Sequence, residues 1–133
     1  GERVGYVAAL SSFKEFEKLK LFKKINKNGK IIKNIWSDLS KKHKIPINIM
    51  GTSAIPIFEF LNNHLQNKTY LTQEMLKEKI LATNLVYVNI FHNKNNLKKY
   101  TKVLDRVFNN ISRGNIKKLL NSKICFKPIN RIN

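Results

Sequence analysis

A single cysteine, Cys125, is all the sequence holds, so no internal disulfide can brace it and the cytosol is the default compartment. Three prolines and five glycines punctuate 133 residues. That is too few for a Pro/Gly-rich linker or a low-complexity segment, and a single domain over residues 1–133 is expected. No apolar run approaches the ~20 residues that cross a membrane. The opening Gly1-Glu2-Arg3 carries no apolar signal region, so a cytoplasmic chain without a membrane partner is expected.

Acidic side chains are scarce, eight against 26 basic ones, for a net charge of +18. Such a field attracts nucleic acid, and a small basic nucleic-acid-binding domain is the alternative reading of this chain. Arginine, however, is scarce too: Arg3, Arg106, Arg113 and Arg131 are the only four. Phosphate and base readers rely on arginine's planar fork. The lysines are spread over every segment, and the richness in lysine, asparagine and isoleucine matches an AT-rich coding bias. Nucleic-acid binding is therefore expected to be weak and nonspecific. A stand-alone helical adaptor for another protein is a third possibility.

A self-contained active site is also missing. There is no Gly-rich phosphate loop, no His/Cys cluster at metal spacing and no nucleophile elbow. His43, His64 and His92 lie far apart, and a lone Cys125 with a distant His92 makes no thiol pair.

What is present is a 42% hydrophobic chain with clear periodicity. Val4, Val7, Ala8, Phe13, Phe16 and Leu19 predict a helix over 3–19. Leu21, Ile25, Ile32, Ile35, Trp36 and Leu39 predict a second over 20–43, with lysines on its other face. Pro46 stops it. Residues 45–50 and 54–61 read as a hairpin about Gly51-Thr52-Ser53, with Pro56 at an edge or bulge. Residues 61–68 read as an asparagine-rich loop, and Thr69 as the cap of the next helix. Leu85–Phe91 reads as a third strand. Asn93–Ile111 forms the last long helix, with Leu97, Tyr100, Leu104, Val107, Phe108 and Ile111 on one face, ended by Gly114. Asn115–Leu120 adds a turn or two before an irregular basic tail, Lys123–Asn133. The expected fold class is α+β, a small, mostly antiparallel three-stranded sheet packed against helices.

The order of segments resembles a known family. Thr69-Tyr70-Leu71-Thr72-Gln73-Glu74-Met75-Leu76 runs into Ile80-Leu81-Ala82-Thr83-Asn84, a strand through Val88, then Phe91-His92-Asn93 and a long basic helix. Glu2-Arg3-Val4-Gly5-Tyr6-Val7-Ala8-Ala9-Leu10 looks like an "ERIGxAAAL" helix start. Residues from His43 through Pro46 to Gly51 look like "KHGLPVxVxG", and Arg113–Leu120 looks like a last short helix. Together they resemble the C-terminal small domain of class-III pyridoxal-phosphate-dependent aminotransferases, in the branch around glutamate-1-semialdehyde 2,1-aminomutase.

The resemblance implies the small domain of a fold-type-I transferase whose large cofactor-binding domain is absent. It implies a homodimeric parent that exchanges an amino group between a small donor and acceptor with pyridoxal phosphate as cofactor. The catalytic lysine, its acidic partner and the phosphate-binding Ser/Thr would lie upstream, so no catalytic, cofactor-binding or metal residue is assigned here, and the chain alone is expected to be inactive. In such enzymes the small domain walls the substrate side of the cofactor. By position, Asn84, Tyr87 and His92 are the substrate-cleft candidates, with Asn93 in place of the threonine usual after His92. Glu2 and Arg3 would lie near a subunit interface, or serve as ordinary helix-start residues. An apolar patch around Val4, Val7 and Ala8 is expected to be exposed, as are Asn84 and Tyr87 in part.

Overall fold

A computed structural model describes residues 3–125. The predicted tail from 126 onward, and Glu2, lie outside the described residues. The elements run α1 (Val4–Lys18), α2 (Leu21–His43), β1 (Ile47–Gly51), β2 (Pro56–Phe60), α3 (His64–Lys77), α4 (Lys94–Arg113) and α5 (Ile116–Leu119). The class is α+β: a two-stranded antiparallel sheet packed on helices. No helix among the described residues is long and apolar enough to cross a membrane.

The amphipathic stripes dictate the packing. α2 buries Leu21, Ile32, Trp36 and Leu39, and α4 buries Leu97, Tyr100, Val103, Leu104, Val107 and Phe108. Alternation along β2 sends Phe58 and Phe60 into the same core. There the Phe58 ring lies 4.8 Å from Trp36, 5.2 Å from Phe60 and 6.1 Å from Phe108, centroid to centroid. Trp36 is fully buried and donates its indole N–H to the Tyr100 hydroxyl at 2.8 Å, which removes it as a base-stacking platform. Gly29 lets the hairpin turn press onto α2, since a Cβ there would stand 1.7 Å from the Ser53 carbonyl oxygen.

Two helices end the same way. Past α2, the Ile45 N–H bonds the Ser40 carbonyl at 3.0 Å and the Lys44 N–H bonds that of Lys41 at 3.3 Å. Past α3, Ile80 bonds Met75 and Lys79 bonds Leu76, both at 2.9 Å. Each is a Schellman termination with a left-handed residue at the pivot, Lys44 at φ 55° and Lys79 at φ 58°, followed by an isoleucine packed inward. Lys44 occupies the position of the glycine in the "KHGLPVxVxG" pattern.

Three expectations need correction. α3 starts at His64, so of the expected 61–68 loop only residues 61–63 remain one, and Thr69 is no cap: its hydroxyl sits inside the helix and donates to the Leu65 carbonyl at 2.7 Å. The strands are shorter than predicted, five residues each, paired from Ile47↔Phe60 to Gly51↔Pro56. Leu85–Phe91 forms no strand. Residues 84–88 run antiparallel beside β2 through Phe58 N–H to Asn84 O at 3.0 Å, Val86 N–H to Pro56 O at 3.1 Å and Val88 N–H to Ala54 O at 2.9 Å, with one isolated bridge, Ile57↔Leu85. A regular ladder would exchange bonds in both directions. Pro56 has no N–H to return, and the Phe58 carbonyl is taken by the Asn84 side chain at 2.7 Å.

α1 is unlike the other helices: none of its residues is buried. Val4, Tyr6, Val7, Leu10 and Phe13 are each at least 60% exposed. The exposed apolar face expected around Val4, Val7 and Ala8 is there.

Candidate substrate-facing groove

The Schellman turn at Lys79 redirects the chain so that residues 80–87 descend beside α4 toward β2. The space between them is a groove of about 690 Å³. Ile80, Ala82, Leu85, Val86 and Leu97 supply its apolar wall, and Lys79, Thr83, Tyr87, Asn89, His92 and Lys99 its polar groups.

Tyr87 and His92, two of the three candidates, are brought together on this lining. Tyr87 is 69% exposed. His92 is half-buried at an asparagine-rich turn before α4. The Asn89 N–H points at its Nδ1 at 2.9 Å, so that nitrogen accepts and the ring proton sits on Nε2. The turn is held by Phe91 N–H to Asn89 Oδ1 at 2.9 Å and Asn96 Nδ2 to Phe91 O at 2.8 Å. Asn93 then caps α4, its Oδ1 accepting from the Asn96 N–H at 3.0 Å.

Asn84 behaves differently. It is buried rather than partly exposed, and its amide bonds the Phe58 carbonyl while Thr83 Oγ1 donates to its Oδ1 at 3.2 Å. Its side chain pins the segment that carries Tyr87 instead of lining the groove. Lys79 and Lys99, which do line it, were missed as candidates. A polar residue followed by an isoleucine after a helix was the available signal for Lys79; for Lys99, one lysine among several on α4, none was.

Ion pairs brace the scaffold around the groove. Lys42 bonds both Asp105 oxygens at 2.8 Å and His43 Nε2 reaches Oδ1 at 2.6 Å, tying the end of α2 to α4. These two contacts hold the Asp105 carboxyl below its ordinary pKa, against a smaller opposing effect of burial. Arg106 bonds Glu78 at 2.8 Å and joins α4 to the end of α3. Among the described residues, no three His, Cys, Asp or Glu side chains group as metal ligands.

A solved fold matches this arrangement. The chain superposes on the Sphingopyxis sp. MTA144 FumI protein, known in its PLP internal aldimine form, with a TM-score of 0.72 over 84% of this chain. Identity is 14%, so the likeness is one of fold, and this chain spans 28% of that one. The sequence matches no family model and no curated protein.

Proposed function

We propose that this chain is the C-terminal small domain of a pyridoxal-phosphate-dependent class-III aminotransferase or aminomutase, of the glutamate-1-semialdehyde aminomutase-like branch. Its role is to wall the substrate side of an active site whose chemistry belongs to a large domain of the same polypeptide, in a homodimeric, cytoplasmic enzyme. The observation that carries this reading is the fold likeness over most of this chain to about a quarter of a protein held as a PLP internal aldimine. Two features support it. The glycine of the family pattern falls at Lys44, where the backbone is left-handed, and α1 exposes a whole apolar face, as a covered surface does when its cover is removed.

Pyridoxal phosphate supplies the electron sink for amino transfer and needs a lysine and an acid facing its pyridinium nitrogen. The residues present do not fit that need. The groove lining holds no carboxylate, and no described lysine is buried. What this chain contributes is a wall: Asn84 fixes the 84–88 segment, Tyr87 stands free at its edge, and His92 offers an Nε2–H donor.

The test has two arms. The isolated chain, incubated with pyridoxal phosphate and reduced with borohydride, should give scattered substoichiometric lysine adducts and no amino transfer. One saturating adduct per chain together with activity overturns the proposal. In the complete enzyme, Tyr87→Ala should change the ratio of rates on several amino donors and leave cofactor binding intact; unchanged ratios with lost cofactor place Tyr87 elsewhere.

A further inference from the structure

The groove does not stop at His92. On the far side of that residue and Leu97, which line both, a second groove of about 660 Å³ opens between the start of α2 and the turn before α4. Lys24 and Lys27 line it one helical turn apart, and so share a face of α2. Lys94, the first residue of α4, lines it as well. No aspartate or glutamate lines either groove. Phe91 lines the second groove and is 73% exposed, one of several large apolar side chains the domain leaves open, and the one that lies among these lysines. The turn that carries it is tied to α2 by Asn28 Nδ2 bonding the Asn89 carbonyl at 3.4 Å.

Continuity and chemistry point in one direction. The two grooves are continuous in lining, through His92 and Leu97. Three lysine ammoniums without a counter-charge suit a phosphate as point charges, without the bidentate fork that base and backbone readers use, and an exposed aromatic face suits a stacked base. We propose that the second groove binds a nucleotide, its phosphate held by Lys24, Lys27 and Lys94 and its base stacked on Phe91. Resting on the substrate-facing reading above, the amino-transfer substrate is then a nucleotide-linked small molecule whose reacting end extends past His92 toward Tyr87.

All the lining residues belong to this chain, so the chain without cofactor is the proper test. Uridine monophosphate, uridine, inorganic pyrophosphate and a ten-residue oligouridylate are titrated at 150 mM salt, with histidine and aromatic NMR resonances as readout. Saturable shifts at Phe91 and His92 are expected with the mononucleotide, which should bind tighter than uridine or pyrophosphate. Phe91→Ala should weaken it about tenfold and Lys27→Gln about fivefold, whereas Lys117→Gln, on α5, should have no effect. No saturable shift overturns the proposal, and so does an equal loss from Lys117→Gln, which marks a diffuse cationic field. An oligouridylate bound far more tightly than the mononucleotide overturns it in favour of a single-stranded polymer. None of these outcomes depends on pyridoxal phosphate, so failure here leaves the aminotransferase reading standing, to be judged by its own test.

Discussion

Trp36→Ala should cost about 3–5 kcal/mol of stability. The indole has no exposed surface, stacks at a tilt 4.8 Å from Phe58 and donates its N–H to Tyr100 at 2.8 Å. Truncation removes the largest buried ring, opens a cavity at the junction of α2, α4 and β2, and leaves the Tyr100 hydroxyl without its donor. Against a total stability of about 5–15 kcal/mol and a urea slope near 2 kcal/mol/M, the midpoint should fall by about 2 M. Circular dichroism is the assay, because the substitution deletes the chain's one tryptophan. Trp36→Phe isolates the polar part: with Tyr100→Phe in a double-mutant cycle, the coupling should be about 0.5–1.5 kcal/mol. In the native chain, iodide should quench the tryptophan poorly. A loss under about 1 kcal/mol together with rapid quenching refutes the core assignment.

Lys44→Gly should stabilise the domain by about 0.5–1 kcal/mol in urea melts, since φ 55° costs a side chain what it does not cost glycine; a loss would mean that the lysine side chain contributes more than its backbone costs. Asn84→Ala should destabilise by about 1–3 kcal/mol by stripping the Phe58 carbonyl of its donor, and should speed hydrogen exchange at the Phe58 amide, which bonds Asn84 O. Asp105 has its pKa lowered on folding, so its contribution is present above the unfolded value of 3.8 and is lost as pH falls through the folded one. Urea midpoints at pH 6, 4 and 3 should therefore fall more steeply in the native chain than in Asp105→Asn, and parallel curves would remove Asp105 from the account. Burial raises the Tyr100 phenol above its ordinary 10.0, outweighing the Trp36 hydrogen bond; its contribution is full below pH 10 and lost above, and Tyr100→Phe should flatten that alkaline decline.

The elements that pack by a periodic stripe were legible in the sequence. α2 and α4 could be read from Ile32, Trp36, Leu39, Leu104, Val107 and Phe108 because one face is apolar and the other lysine-rich. The start of α3 was not, because Asn62, Asn63 and Asn67 look like loop residues singly. Asn67 is in fact buried, with its amide on the Asn62 carbonyl at 3.0 Å. The third strand failed for a reason divided between two distant residues: the donor missing at Pro56 and the side chain of Asn84 only matter once the segments lie side by side. Tyr87 and His92 were named from their places in the family resemblance, and both line the groove. The burial of Asn84 was not legible, because an asparagine in a turn and one capping a strand carbonyl are the same letter.

The bareness of α1 has a consequence for how the chain comes together. A 15-residue helix with no buried side chain gains little from tertiary packing, and helices of that length are marginal on their own in water. Its helicity should therefore be the first to fray, with amide exchange far faster than in α2 or α4. The core built by α2, the hairpin, α3 and α4 can assemble without it. Val4, Val7, Leu10 and Phe13 lend the segment no tertiary anchor, which makes α1 the last part of the domain to become ordered.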